Sequence, residues 1–261
     1  MRRLCMPDVI ACFKWVVDEA YIRKGAAGAL DFSAVDYKIS EYDRNALEEA
    51  VRCRDEGGGK VTALTAGGPE AAKGVKDALS RGADTAVFAG DPAFAALDSS
   101  QTAAVLAAVI RSRIPYDLIV CGEGSGDQYA QQVGPRLAEN LGIPCVSYVL
   151  KINLAADGKG IVAERRVEEG IEVVEVPFPV LVTVLPEINT PRIPGVKDTL
   201  MAGKKPVVTV KKEELPALGE AKLKTLEMAA ARMERNCELF GTTAEDIARL
   251  VATLQQKGVL G

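Results

Sequence analysis

The stretch Asp117–Gly142, DLIVCGEGSGDQYAQQVGPRLAENLG, predicts a strand, a glycine-rich turn and a helix in direct succession. Its apolar run is followed by three glycines at alternate positions from Gly122 to Gly126, and Ala130–Leu141 has the pattern of a helix. This succession points backbone N–H groups at an anion such as a phosphate. The turn contains two acidic residues and no lysine, so we expect backbone groups rather than a basic side chain to hold a ligand.

Segments of the same kind precede this stretch and predict the fold class. Apolar runs without alternation are separated by helical segments, which is typical of parallel strands that are covered on both faces. We therefore expect an α/β fold with a doubly wound, mostly parallel sheet. The predicted strands are Val9–Phe13, Lys60–Gly68, Thr85–Gly90 and Asp117–Gly122, and the predicted helices are Ser40–Gly58, Pro69–Gly82 and Ser99–Arg113. The helix at Ser40 begins with Ser40-x-x-Asp43, the spacing of a capping box.

The pattern changes after Gly142. Extended, β-branched segments with close turns predict added antiparallel strands and a hairpin rather than further strand–helix–strand units. These segments are Cys145–Leu154, Gly160–Gly170, Ile171–Phe178 and Val180–Leu185.

A separate helix is predicted near the C-terminus, after a long polar linker. TTAEDIARLVATLQQKG (Thr242–Gly258) begins with a second capping-box pattern, Thr242-x-x-Glu245. Its apolar residues recur on one helical face, and a tethered helix of this kind either docks on a partner chain or packs on its own domain. The apolar stripe consists of Ile247, Leu250, Val251 and Leu254.

Composition excludes several classes of protein. The 261 residues are 48% hydrophobic, which predicts an ordinary globular core. The 32 basic and 36 acidic residues give a net charge of -4, so the chain lacks the basic surface of a nucleic-acid-binding protein. No apolar run has the roughly 18 residues of a membrane span, and no signal-peptide pattern opens the sequence. We expect no membrane insertion and a cytoplasmic location.

The side chains available for catalysis are few. The sequence contains no histidine, which excludes Ser-His-Asp and Cys-His nucleophiles. Its six cysteines have no metal-site spacing and are expected to be buried thiols in a reducing compartment. We predict no catalytic side chain and no metal site, so that any redox chemistry has to come from a cofactor.

The spacing of the glycine turn leaves two interpretations open. It is neither a G-x-G-x-x-G dinucleotide fingerprint nor a P-loop, because the G-K-[ST] element is absent. The glycines either permit a tight turn and nothing more, or they let backbone N–H groups hold an adenine nucleotide. In the second case we expect three other segments to surround the same ligand, because two of them follow the carboxyl ends of strands and the third is the start of a helix. These segments are Phe13–Asp18, Thr65–Pro69 and Lys38–Asp43.

Five segments of the sequence, taken in chain order, resemble the β subunit of the electron-transfer flavoprotein family. The resemblance covers nearly the whole chain, and its details are most similar to the Fix-type branch, which is linked to nitrogen fixation and anaerobic acyl-CoA or carnitine-type reduction. Three positions depart from the usual pattern: FKWVVD replaces V-K-Q-V-P-D, GDQY replaces D-G-D-T, and Val196 stands where leucine is frequent. The matching segments are residues 30–52, 61–71, 78–84, 117–144 and 184–206.

The resemblance implies a heterodimer and an electron-transfer function. A partner α subunit is expected to carry the electron-transferring FAD, while this chain holds AMP or a second FAD. Electrons are expected to pass between a redox partner and a second acceptor. The partner is NADH-dependent, of the acyl-CoA dehydrogenase type, or linked to quinone. NADH-dependent bifurcation is implied only for the complex with the α subunit. The sheet is expected to be of the adenine-nucleotide alpha hydrolase type. The alternative is a non-redox adenine-nucleotide-binding module of the universal-stress type.

The resemblance also implies positions for the nucleotide site. Most of its residues lie in the glycine turn and at the start of the first predicted helix, and Lys14 and Gly67 are added because they lie beside matching strand ends. The candidate cofactor-binding residues are Cys12, Lys14, Ser40, Glu41, Tyr42, Asp43, Ala66, Gly67, Gly122, Glu123, Gly124, Ser125, Gly126, Asp127, Gln128, Tyr129, Ala130, Gln131, Gln132 and Val133.

A second implied region is a loop over residues 185–207 that docks a redox partner, with Val196 at its tip. We assign residues 1–210, including this loop, to a nucleotide-binding α/β domain, and residues 211–261 to a linker and a C-terminal helix that docks on the α subunit. The candidate partner-binding residues are Asn189, Pro191, Arg192, Val196, Lys197, Lys204 and Lys205.

Overall fold

The computed structural model describes residues 7–25, 28–230 and 237–260. The chain divides into two compact units, Met1–Ile22 with Phe32–Leu226, and Arg23–Asp31 with Glu227–Gly261. The strands are β1 (Asp8–Cys12), β2 (Trp15–Val17), β3 (Arg23–Lys24), β4 (Leu30–Asp31), β5 (Tyr37–Ile39), β6 (Lys60–Gly67), β7 (Thr85–Gly90), β8 (Leu118–Gly122), β9 (Cys145–Leu154), β10 (Gly160–Val167), β11 (Gly170–Pro177), β12 (Val180–Val184) and β13 (Val207–Val210). The α-helices are α1 (Glu41–Gly57), α2 (Ala72–Ser80), α3 (Ser99–Arg113), α4 (Val133–Leu141), α5 (Val196–Ala202) and α6 (Ala244–Gln256).

The larger unit is built on a nine-stranded sheet with the order β11-β10-β9-β12-β8-β1-β6-β7-β13. From β1 the chain passes through α1 and α2 to β6 and β7 on one side, and then returns through α3 to β8 on the other side of β1. The strands from β12 to β13 pair in parallel. The predicted doubly wound, mostly parallel α/β fold is therefore confirmed.

Helices cover both faces of this sheet, and each face has its own apolar core. On one face, residues of α1 and α2 such as Leu47 and Leu79 pack against the strands. On the other face, α3 and α4 supply residues such as Ile110 and Leu137. Burial on both faces explains why the central strands are apolar without alternation.

The prediction for the segments after Gly142 is right for β10 and β11 and wrong for β12. The strands β10 and β11 form an antiparallel hairpin, and β10 is also antiparallel to β9. By contrast, β12 lies in parallel between β9 and β8. All five residues of β12 are buried. Burial on both faces is typical of a central strand in a parallel sheet, whereas a strand of a hairpin has one face in solvent.

Three helix starts differ from the prediction. Residues Pro69–Ala71 form a 3-10 turn, so α2 begins at Ala72 rather than at Pro69. The helix expected from Ala130 begins at Val133 as α4, because Gln131 has a φ of 56° and cannot continue a right-handed helix. In α6 the N-cap is Thr243 rather than Thr242, and the Thr243 side chain accepts a hydrogen bond from the Asp246 N–H. Both threonines have an acidic residue three positions later, so the pattern alone fits either one.

The smaller unit contains little packed structure. Its strands β3 and β4 form a short antiparallel ladder, and Ala29 makes an isolated bridge with Ala229. No residue of α6 is buried. Across the described ranges of both units, the structure contains no helix with the length and apolar character of a membrane span.

Candidate functional site

The glycine loop, defined here as residues 122–132, lies at the carboxyl end of β8. The neighbouring strand β1 belongs to the other half of the winding, so the crossovers that follow β1 and β8 leave towards opposite sides. Doubly wound sheets bind their ligands in the crevice at such a topological switch point. Cys12 and Lys14 lie at the end of β1 beside the loop, and Ala66 and Gly67 lie one strand further along the same edge.

Asp43 joins the two strand ends at the switch point. One carboxylate oxygen accepts a hydrogen bond from the Lys14 N–H at 2.9 Å, and the other accepts from the Gly122 N–H at 3.1 Å. Burial raises the pKa of Asp43 to about 7, against the opposing effect of these two hydrogen bonds. Asp43 was predicted to bind the cofactor, and the structure places it beneath the loop as a clamp between β1 and β8.

Ser40 also bonds to the glycine loop instead of capping its own helix. Its hydroxyl oxygen accepts a hydrogen bond from the Gly126 N–H at 3.2 Å, and no side chain caps α1. The expected capping box at Ser40-x-x-Asp43 is therefore wrong, because both side chains are engaged by other parts of the switch point. The first N–H groups of α1, on Glu41 and Tyr42, consequently have no acceptor among the described residues.

The glycines of the loop have different structural roles. A Cβ atom on Gly122 would lie 2.6 Å from an Asp43 carboxylate oxygen and 2.7 Å from the Cβ of Tyr42, so this glycine is required by close packing. At Gly126 a Cβ atom would meet no heavy atom within 4 Å, and the φ angle lies outside the left-handed region. The protein's own packing thus accounts for Gly122 and leaves open space beside Gly126.

The acidic side chains of the loop are engaged by neighbours. Lys14 Nζ lies 2.6 Å from an Asp127 carboxylate oxygen. Burial alone would raise the pKa of Asp127, but the hydrogen bonds from Lys14 and Ser125 outweigh it and lower that pKa below its usual value. The Tyr129 hydroxyl donates a hydrogen bond to Oε1 of Glu123, and this bond is the main reason that the pKa of Tyr129 is raised to about 12.

Tyr129 has an unusual backbone conformation within the glycine loop. Its φ is 45°, which non-glycine residues rarely adopt, and its ring centroid lies 5.2 Å from that of Tyr42. The second oxygen of Glu123, Oε2, is buried without a hydrogen-bond partner among the described residues. Sequence reasoning included these three residues in the site but gave no indication that they contact one another.

Several backbone N–H groups without acceptors lie at the start of α4. Gln132 is the N-cap, and the first intrahelical bond runs from the Arg136 N–H to the Gln132 carbonyl. Within the described chain, no group accepts from the N–H groups of Ala130, Gln131 and Gln132 or from those of the first helical turn. With the α1 start, this arrangement can hold an anion through backbone N–H groups alone. The donors near α4 are the N–H groups of Ala130, Gln131, Gln132, Val133 and Gly134.

The loop 185–207 contains both braced and exposed candidates for partner binding. Asn189, Arg192 and Lys205 make hydrogen bonds within the chain. Pro191 is half-buried. Val196, Lys197 and Lys204 face solvent. Three apolar side chains of this segment are highly exposed: Ile193 at 93%, Val196 at 80% and Leu200 at 70%.

Sequence reasoning missed the residues of α1 that hold this loop. Asn45, Glu48 and Glu49 are buried, although each is polar or charged. Polar residues at helical spacing beside Leu47 and Val51 were the available signal, because buried polar side chains need partners.

A family model described as "electron transfer flavoprotein domain" matches residues 28–215, which is more than half of the chain. The chain belongs to the electron transfer flavoprotein family.

The matched region includes α1, the glycine loop and the whole of the loop 185–207. Membership in the electron transfer flavoprotein family indicates a role in electron transfer and an association with flavin. It does not favour the alternative of a non-redox module of the universal-stress type.

Proposed function

We propose that this chain is the β subunit of a heterodimeric electron transfer flavoprotein and that its glycine loop holds an adenine nucleotide, either FAD or AMP. The α subunit supplies the electron-transferring FAD. The pair carries electrons between an NADH-dependent, acyl-CoA dehydrogenase-type or quinone-linked partner and a second acceptor in the cytoplasm. The observation that carries the nucleotide assignment is the set of unpaired backbone N–H groups at the start of α4, next to the open space at Gly126.

The charges of the site fit an anionic ligand better than the sequence indicates. Asp127 is paired with Lys14, and Glu123 accepts from Tyr129. Asp43 lies under the loop with both oxygens bonded to backbone N–H groups. The loop therefore presents backbone donors to a phosphate group, while each acidic side chain has a partner of its own. If the ligand is FAD, its isoalloxazine ring supplies the redox chemistry; AMP would have a structural role.

Two exposed apolar surfaces support assignment to a subunit of a larger complex. The residues Ile193, Val196 and Leu200 form one, and the stripe of α6 forms the other. Monomeric proteins seldom leave such groups of large apolar side chains in water without a binding function. We assign the first to docking of a redox partner and the second to the α subunit, and we take bifurcation as possible only if the bound nucleotide is FAD.

Nucleotide content tests this proposal directly. The chain is co-expressed with an electron transfer flavoprotein α subunit from the same genome, the purified complex is denatured, and released FAD and AMP are quantified by chromatography. Two FAD per heterodimer would support a second flavin in this chain and make NADH-dependent bifurcation worth measuring. One FAD with one AMP would assign a structural nucleotide. A chain that forms no complex and retains no nucleotide would refute the proposal.

The variant Gly126→Ala locates the nucleotide within the chain. Because a Cβ atom meets no protein atom there, the fold should tolerate alanine, whereas a phosphate held against the loop would lose its space. We expect the heterodimer to lose most of the nucleotide assigned to this chain, while the melting temperature of the nucleotide-free variant stays close to that of the nucleotide-free wild type. Gly219→Ala is the matched control, since Gly219 also has open space and lies outside the loop. Full nucleotide content in Gly126→Ala would contradict the assigned position.

A further inference from the structure

Helix α1 supports two regions of the larger unit. Its first turn, with Ser40 and Asp43, bonds to the glycine loop and the end of β1. The next turns bond to the loop 185–207. Asn45 Nδ2 donates to the carbonyl oxygens of Pro186 at 3.0 Å and Asn189 at 2.8 Å. The Asn189 side chain donates in return to the Asn45 carbonyl at 3.0 Å and to Glu49 at 2.9 Å.

Glu48 makes the strongest contact between α1 and this loop. Oε2 of Glu48 accepts hydrogen bonds from the backbone N–H of Arg192 at 3.1 Å and from Nε of the Arg192 side chain at 2.7 Å. Oε1 of Glu48 accepts a third hydrogen bond from Nη2 of Arg192 at 3.1 Å. Burial would raise the pKa of Glu48, but the hydrogen bonds from Arg192 outweigh it, so the carboxylate is ionised at neutral pH. Bidentate, charge-assisted bonds of this kind fix both distance and orientation.

The other end of the loop is anchored separately. Lys205 Nζ donates to the carbonyl oxygens of Leu79 at 2.9 Å and Ala83 at 2.6 Å. Between the two anchors lie the highly exposed Ile193, Val196 and Leu200. Anchoring both ends reduces the conformational entropy that an exposed segment would otherwise lose when it binds.

We propose that Asn45, Glu48 and Arg192 are positioning residues for partner docking, which hold the exposed apolar residues of the loop 185–207 in the conformation that a redox partner binds. The inference rests on the proposed function, in which this loop docks an electron-exchanging flavoprotein. Glu48 is 6% exposed and lies behind the loop, so it acts through Arg192 and does not touch the partner. The brace contributes to the affinity for the partner and leaves the electron transfer within the docked complex unchanged.

The test uses the complete heterodimer with Glu48→Gln. The steady-state rate of electron acceptance is measured against increasing concentrations of an acyl-CoA dehydrogenase reduced by its substrate. We expect the KM for the dehydrogenase to rise about tenfold, the effect of losing one charge-assisted bond, while kcat and flavin content stay at wild-type values. Hydrogen exchange at the Arg192 amide, which donates to Glu48, is expected to accelerate in the same variant.

The matched control is Glu172→Gln, which removes a charge-assisted bond between Arg165 of β10 and Glu172 of β11, neither of which bonds to the loop 185–207. It should leave the KM unchanged. A wild-type KM in Glu48→Gln, or an Arg192 amide as protected as in the wild type, would overturn the positioning role. A wild-type heterodimer without flavin would instead refute the proposed function, so the two failures are distinguishable.

Discussion

Asp43 determines how closely the ends of β1 and β8 approach each other. Its carboxyl group bonds to one backbone N–H from each strand and lies in the interior, where ionisation is opposed by the loss of water. The groups that face it include the Lys14–Asp127 pair and the buried thiol of Cys121, whose pKa is raised mainly by its hydrogen bond with Cys12 and by burial. Protonation of a single side chain is thus coupled to the geometry of the glycine loop.

This coupling predicts a dependence of stability on pH. The pKa of Asp43 is raised to about 7 in the folded protein, whereas an unfolded carboxyl titrates at its ordinary value near 4. Between these two pKa values the folded state binds one more proton than the unfolded state. The contribution of Asp43 to the free energy of unfolding therefore falls as pH rises, by at most about 1.4 kcal/mol per pH unit. Asp43→Asn cannot titrate and should flatten this part of the melting-temperature profile between pH 5 and 8.

Asparagine also loses one of the two acceptors, so at pH 5, where the folded wild-type carboxyl is protonated, the variant should be less stable by about 1–3 kcal/mol, and this difference should shrink as the pH rises. Asp157→Asn, a change on an exposed turn between β9 and β10, serves as the control. An unchanged pH slope in Asp43→Asn would show that another group is responsible.

The role of Asp43 marks the limit of sequence reasoning at the residue scale. Ser40-x-x-Asp43 has the spacing of a capping box, and the same two side chains instead bond to Gly126, Lys14 and Gly122. The competing donors come from residues tens of positions away, so local spacing cannot reveal them. A family resemblance supplied the candidate members of the site, whereas the contacts between these residues depend on the tertiary structure.

Strands and helices were predicted with more success because their signals are local. The strand Thr85–Gly90 and the helix Ser99–Arg113 have the predicted bounds. The start of α4 shifted because Tyr129 and Gln131 adopt positive φ, which no propensity predicts for these residue types. The strand β12 was assigned the wrong orientation, because a short apolar run fits a buried parallel strand as well as a hairpin.

The short helix α5 provides a prediction at the scale of an element. Val196 and Leu200 lie four residues apart on one face and are mostly exposed. The variants Val196→Asp and Leu200→Asp should change the free energy of unfolding by no more than about 0.5 kcal/mol, since neither side chain is packed. Both should raise the KM for a reduced acyl-CoA dehydrogenase, because an aspartate would be desolvated in an apolar interface.

Ile171→Asp on β11 is the control for this prediction, because Ile171 is 63% exposed and lies on another part of the surface. Melting temperatures and dehydrogenase titrations of the three variants are compared with those of the wild-type heterodimer. Equal KM values for all of them would exclude α5 from the docking surface.

The whole molecule joins a large unit that has two apolar cores to a small unit that has little packing of its own. Residues 23–31 and the segment after Glu227 belong to the same small unit. This association involves sequence separations of about two hundred residues, which local sequence patterns do not predict. The fold of the large unit, by contrast, follows from its alternating apolar strands and helices.

The helix α6 gives the prediction that concerns the complete assembly. It has 13 residues, none of them buried, and an isolated helix of this length is marginal in water. Its apolar residues Ile247, Leu250 and Val251 are 54%, 37% and 42% exposed, so the stripe lacks a covering surface within the described chain.

If the α subunit covers this stripe, Ile247→Asp with Leu250→Asp should weaken the heterodimer by at least tenfold in Kd, measured by sedimentation, because two charges would be desolvated. Ala252→Asp with Gln256→Asp adds the same two charges on the opposite face and should leave Kd unchanged. Equal weakening by both would indicate general repulsion, whereas an unchanged Kd in Ile247→Asp with Leu250→Asp would mean that α6 does not bind the α subunit.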